Sequence, residues 1–243
     1  MPNVLILGAS SDMAVAIARS FARNKYDLEL AARRVSRLEP LKSDLMIRYG
    51  VNVILVEFDA ADTSHHALFY HSLLVQADIS ICVFGYMPDQ HSAQQQWEET
   101  EKTIISNYSG AVSILNIIAE DYEKKKQGTI VGISSVAGLR GRQSNYIYGS
   151  AKAGFIAYLS GLRNRLYPAH VGVITVLPGF VRTRMTSGLK LPPFLTADPA
   201  EVGIAVFEAV RKKTDIIYVK WFWRWIMMLI RIVPEAIFKK LKM

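Results

Sequence analysis

Along the chain, short dense blocks of apolar residues alternate with stretches of helical period. Val4–Leu7, Asp27–Ala32, Val51–Phe58, Asp78–Phe84, Gly128–Ser134, Val171–Leu177 and Ile216–Lys220 are compact and mostly apolar. Runs of that kind read as strands buried on both faces. Between them, Val15–Ala22, Arg34–Tyr49, Thr63–Val75, Glu98–Lys126, Asn145–Tyr167 and Pro199–Lys212 read as helices, and Leu38, Leu41, Leu45 and Ile47 share roughly one face of the second. The long stretch 98–126 contains Gly110, near which a bend or loosened turn is expected. Strand alternating with helix predicts an α/β fold, a doubly wound, parallel, seven-stranded sheet of Rossmann type. No linker, repeat or low-complexity segment divides residues 1–220, which read as one dinucleotide-binding catalytic domain. The polar, proline-containing stretch 182–197 follows the sixth strand. It therefore leaves the carboxyl edge of the sheet, where ligands bind, and reads as a substrate loop.

The first strand runs into Gly8-Ala9-Ser10-Ser11-Asp12-Met13-Ala14 and then a helix. Such a turn offers free backbone N–H groups to a pyrophosphate, which makes Gly8, Ser10, Ser11, Asp12 and Met13 candidate cofactor contacts. The other reading is a tight strand–helix connection and nothing more. Asp12 and Ala14 stand where two further glycines are expected. Ala14 still allows close helix–strand packing. The Asp12 carboxylate repels a pyrophosphate unless it faces away, for instance by capping the helix. The second strand ends in Ala31-Ala32-Arg33-Arg34, with no carboxylate to hold a ribose 2′-hydroxyl. Arg33 suits a 2′-phosphate instead, which favours NADP(H) over NAD; alternatively the two arginines are merely solvated. Asp59, followed by Ala60, closes the third strand, either as an acceptor for an adenine amino group or as a helix N-cap.

The strongest chemical signal is Ser134-Ser135-Val136-Ala137-Gly138 at a strand end, with Tyr148-Gly149-Ser150-Ala151-Lys152 thirteen residues after Ser135. Tyr148 and Lys152 stand at i and i+4, on one side of a helix. A neighbouring ammonium favours the phenolate and is expected to lower the tyrosine pKa, bringing proton transfer within reach of neutral pH. Ser135 is placed to hold a carbonyl or alcohol oxygen. A serine hydrolase is excluded, because Gly132-Ile133-Ser134-Ser135-Val136 lacks the second glycine of a nucleophile elbow.

On these residues the chain resembles the short-chain dehydrogenases/reductases over about residues 3–220. The resemblance implies that Ser135, Tyr148 and Lys152 are catalytic. It implies that Asn107, in Ser106-Asn107-Tyr108-Ser109-Gly110, is the fourth member, kinking the long helix and ordering a water beside the lysine. Pro178-Gly179-Phe180-Val181-Arg182-Thr183 is similar to the segment that meets the nicotinamide, which makes Pro178, Gly179, Val181 and Thr183 cofactor contacts. Tyr148 and Lys152 join the cofactor set, as does Gly85, the one residue kept from the glycine-containing motif after the fourth strand. The reaction implied is NADP(H)-dependent interconversion of a carbonyl and a secondary alcohol, by a homodimer or homotetramer. Gly85–Gln90, Ser135–Arg142, Leu162–Leu166 and the basic tail further resemble a subgroup that includes reductases of polyprenyl-phosphate-linked 2-keto-pentoses. There Arg140 and Arg142 would face a phosphorylated or lipid-linked keto-sugar, or else pin their own loop. The alternative from another class is a nucleotide-binding, membrane-associated scaffold or sensor without turnover.

Charge then adds a location. The 243 residues carry 29 Lys+Arg and 21 Asp+Glu, a net +8, with 51% hydrophobic residues, so the chain is not disordered. Residues 1–210 are nearly neutral at +1, whereas 211–243 carry +7 and three of the four tryptophans. A domain-wide nucleic-acid footprint is therefore not expected. The segment 221–243 is too interrupted by charge to span a bilayer. It reads as a basic amphipathic anchor for anionic membrane, as a subunit contact, or as cover for the pocket. The single Cys82 leaves no disulfide framework or cysteine zinc site, and no metal is expected. With no basic leader before the short run Val4–Leu7, a cytoplasmic enzyme, peripheral on the inner face of the membrane, is expected.

Overall fold

The computed structural model describes residues 1–241. Strand β1 (Asn3–Leu7) is followed by helix α1 (Asp12–Arg23), β2 (Asp27–Ala32), α2 (Glu39–Tyr49), β3 (Val53–Glu57), α3 (His66–His71) and β4 (Ile79–Cys82). Then come α4 (Gln90–Gln95), α5 (Trp97–Ile104), α6 (Gly110–Lys125), β5 (Thr129–Ile133), α7 (Tyr146–Leu166) and β6 (Gly172–Pro178). The short strands β7 (Phe180–Val181) and β8 (Thr196–Ala197) precede α8 (Pro199–Arg211), β9 (Ile216–Val219), α9 (Trp223–Ile232) and α10 (Glu235–Phe238). The seven predicted strands form one sheet in the order β3-β2-β1-β4-β5-β6-β9, every pair parallel. The order reverses between β1 and β4, and a doubly wound sheet opens its ligand crevice at that point.

Both faces are covered. Ile17, Phe21 and Leu45 of α1 and α2 join Val202 and Val206 of α8 over one face. Ile114, Leu115 and Ile118 of α6 with Phe155 and Leu159 of α7 cover the other. This is why the central strands lack polar alternation. A third, small cluster of Val136, Leu177, Trp223 and Met227 roots α9 beside the carboxyl edge. β7 and β8 pair across the base of the 182–197 stretch and close it into a loop.

Three helices differ from expectation for local reasons. The 34–49 stretch is a 3-10 turn over Val35–Leu38 followed by α2, because Pro40 in the first turn has no N–H to bond back to the upstream residues. The third helix stops at His71 rather than Val75, where the Ser72 hydroxyl donates to the Phe69 carbonyl. The long helix begins at Trp97 and changes to a π turn over Ile105–Ser109. There the Asn107 side-chain amide donates to the Thr103 carbonyl at 2.8 Å, the acceptor its own backbone N–H would use in a regular helix. The loosening expected near Gly110 is thus centred on Asn107, and Gly110 N–H reaches back to Ile105.

Candidate active site

The turn after β1 is built for a close approach. Gly8 has φ +91°, and a Cβ there would lie 2.7 Å from Phe84 Cβ, so glycine alone fits. The cap of α1 is Ser11, whose hydroxyl accepts from the Ala14 N–H at 3.1 Å. This corrects the reading of Asp12 as the cap. Asp12 is the first helical residue, and its carboxylate turns to Arg184: Oδ1 takes the Nε–H at 3.0 Å and Oδ2 the backbone N–H at 2.7 Å. Ser10 is exposed, and Met13 lies in the first turn, partly buried. Arg33 is exposed at the end of β2, with no ion pair among the described residues. Asp59 Oδ1 accepts from Ala61 N–H at 3.0 Å, which makes it an Asx turn and not a helix cap. Ala60 lies against the first residue of α6. A glycine cradle, a helix start with free N–H groups and an unpaired arginine at the ribose end fit a phosphorylated dinucleotide.

The four residues of the expected catalytic set come together at the carboxyl edge. Ser135, at the end of β5, is held by a hydrogen bond from Ala137 N–H to its Oγ at 3.1 Å. Tyr148 and Lys152 share a face of α7, with Nζ 5.8 Å from the Tyr148 ring centroid. Lys152 is buried and donates to the Ile133 carbonyl at 3.0 Å. Asn107 is 1% exposed, and its amide donates to the Tyr86 carbonyl at 2.6 Å. Its Oδ1 accepts the Tyr86 N–H at 3.3 Å. Gly85 separates amide and ammonium: a methyl there would be 2.7 Å from Asn107 Oδ1 and 3.5 Å from Lys152 Nζ. Asn107, at the centre of the π turn, and Lys152 thus lie on either side of Gly85.

The electrostatics modify the expectation. Desolvation pushes the Tyr148 hydroxyl up to about 12, opposed only by the Ser135 hydroxyl beside it. Burial outweighs the lowering expected from the ammonium, and Lys152 donates to the Ile133 carbonyl rather than to the phenol. Burial in turn pulls Lys152 down to about 8. At neutral pH the site holds a protonated phenol beside a lysine close to its own titration. The thiol of buried Cys82 is pushed up to about 12 and is inert.

The remaining candidates lie where the 182–197 loop and the tail meet. Pro178 ends β6, Gly179 faces the Trp223 indole, and Val181 is buried in β7. Thr183 opens a 3-10 turn and receives the Thr186 hydroxyl on its carbonyl at 3.1 Å. Asp12, Thr183, Arg184, Thr186 and Ser187 line a cavity of about 400 Å³. Trp223 donates to the Leu195 carbonyl at 3.2 Å, and Phe222 stacks on Phe194 at 5.1 Å, so α9 is fastened to the loop. Arg140 is committed elsewhere than expected. It pairs with Glu235 at 2.6 Å, donates to the carbonyls of Arg231 and Val233, and lies 4.2 Å over the Phe238 ring. Its guanidinium serves the C-terminus of α9, where a cation is favoured, and not a substrate. Arg142 is partly buried, with its Nε unpartnered. Arg184 is the site residue missing from the sequence reading. The signal was present, since a carboxylate in a phosphate turn calls for a cation.

The comparisons agree with this architecture. The family model described as short chain dehydrogenase matches residues 2–192, and the chain belongs to that family. An uncharacterized oxidoreductase of Mycobacterium tuberculosis is 30% identical over 241 residues, 98% of this chain and 96% of the relative. Another, of Streptomyces coelicolor, is 31% identical over 242 residues, 98% and 95% of the two chains. Among solved structures, a short-chain dehydrogenase from Sphingobium yanoikuyae in complex with NADPH is 25% identical, with a TM-score of 0.81 covering 97% of this chain and 98% of that one.

Proposed function

We propose that the protein is an NADP(H)-dependent oxidoreductase that interconverts a carbonyl and a secondary alcohol. The observation that carries this reading is the meeting of Ser135, Tyr148, Lys152 and Asn107 at the sheet edge beside the Gly8 turn. Gly8, Arg33 and the Pro178–Thr183 segment would hold NADPH, which would supply the hydride for the carbonyl carbon. Ser135 holds the carbonyl oxygen and polarises it. Tyr148, protonated at neutral pH, donates its proton to that oxygen as the alcohol forms. The Lys152 ammonium favours the phenolate left behind, and Asn107 anchors the lysine's surroundings for proton return. The NADPH bound by the Sphingobium relative and the exposed Arg33 support the choice of dinucleotide.

The substrate reading is a phosphorylated or lipid-linked keto compound, met at a membrane surface. What supports it is α9. Its buried side holds Trp223 and Met227, while Trp225, Met228, Leu229 and Ile232, spaced i, i+3, i+4 and i+7, are exposed with Arg224 and Arg231 among them. Among the described residues no helix is long and apolar enough to cross a membrane, so the contact would be peripheral. A homodimer or homotetramer and a cytoplasmic location belong to the same reading.

The test is NADPH oxidation across a carbonyl panel that includes lipid-linked and phosphorylated ketones. Turnover is expected, and Tyr148→Phe should lose about 10²–10⁴-fold in kcat. Full turnover in that variant would overturn the role given to Tyr148, and NADPH binding without turnover on any carbonyl would favour the scaffold alternative.

A further inference from the structure

We propose that Arg184 is a positioning residue for the dinucleotide: through its pair with Asp12 it neutralises the phosphate seat and holds the substrate loop against it. This rests on the dinucleotide reading above and adds to it a determinant that the glycine pattern does not contain. Asp12 is the first residue of α1, so its charge competes for the helix N-terminus with any bound phosphate. A carboxylate left alone there would oppose binding. Arg184 removes the conflict by engaging both of its oxygens, at 3.0 Å and 2.7 Å.

The pair is also the bond between two distant parts of the chain. Arg184 lies one residue past Thr183, in the 3-10 turn that opens the substrate loop. Its Nη2 donates to the Ser10 carbonyl at 2.5 Å, so one guanidinium grips the turn at two residues. The loop spans only from β7 to β8, and Thr186 ties it internally to Val181 at 2.6 Å. A guanidinium has five N–H donors, and Nη1 has no partner among the described residues. Arg184 lines the cavity together with Asp12, Thr183, Thr186 and Ser187, and most of its side chain is open to solvent. Anchored in this way, the loop and the dinucleotide seat form one unit, and the loop is ordered before substrate arrives.

A double-mutant cycle read by NADPH fluorescence titration tests this without turnover. Arg184→Gln leaves Asp12 uncompensated and should weaken NADPH binding about tenfold or more. Asp12→Asn should change it by no more than about threefold, and Asp12→Asn with Arg184→Gln should bind better than Arg184→Gln alone. Arg184→Lys should recover part of the loss. Hydrogen exchange of residues 182–197 without nucleotide should rise in both single variants. Additive effects, or an Arg184→Gln protein that binds NADPH as the parent does, would overturn the proposal while leaving the carbonyl chemistry standing. A parent protein that binds no NADPH would overturn both. Unchanged circular dichroism and melting temperature in the variants separate loss of the latch from loss of the fold.

Discussion

Tyr148 and Lys152 show how one burial acts oppositely on two groups. It keeps the phenol protonated and makes the ammonium easier to lose, because each moves toward its neutral form. The consequence is a pH limit set by the lysine. Reduction needs the phenol and the ammonium together, so kcat/KM should hold up to about pH 8 and then fall about tenfold per unit as Lys152 deprotonates. A profile level to pH 10 would remove Lys152 from the proton relay. The identities of these residues and their i, i+4 spacing were legible in the sequence. The direction in which their pKa values move was not, since spacing carries no information about desolvation. Arg140 makes the same point. An arginine five residues after the proposed catalytic serine suits an anionic substrate, and only the fold reveals Glu235 and Phe238 beside it.

Among the elements, the strands were the most legible and the helix interiors the least. A parallel strand buried on both faces announces itself by composition, and all seven blocks became neighbours in the expected sheet. The residue pattern showed only a fault near Gly110 and the resemblance put the kink at Asn107; the cause, the Asn107 amide taking the Thr103 carbonyl, is visible only in the structure. β2 carries a feature that periodicity hides. Glu29 lies within the strand at 1% exposure; neither carboxyl oxygen has a well-formed hydrogen bond, and the nearby Val75 backbone and Asn3 side chain only partly offset its burial. Desolvation raises its pKa from 4.5 to about 7. The folded state therefore binds a proton that the unfolded chain releases. The stability this contributes is complete below pH 4.5 and is lost as pH rises through about 7. Glu29→Gln should raise the melting temperature at pH 8 by about 5 °C and change it little at pH 4.5. An equal gain at both pH values would show that the charge is not the cause.

For the molecule as a whole, the net charge of +8 divides between a nearly neutral body and a basic tail. Lys242, counted with that tail, lies outside the described residues. The structure divides α9 again, into a side that completes the core and a side left to solvent. Removing the segment would therefore expose Val136 and Leu177, so the membrane reading is better tested on the outer face. Flotation with anionic liposomes should retain the parent protein and lose Trp225→Glu with Leu229→Glu, with NADPH binding preserved. Equal flotation would leave the face to a second copy of the chain. Because α9 is also bonded to Leu195 and stacked on Phe194, a surface that meets lipid would lie directly beside the substrate loop.

The sequence by itself determined the sheet, the family and the residue types of the proposed catalytic set, because burial on both faces and fixed helical spacing are local patterns written in consecutive residues. The tertiary structure decided the partners of the charged groups. Asp12 found Arg184, 172 residues away, Arg140 found Glu235, 95 residues away, and Glu29 found no ion-pair partner among the described residues. Those outcomes depend on which distant segments the sheet order brings to one edge, and on how much water remains there to screen them.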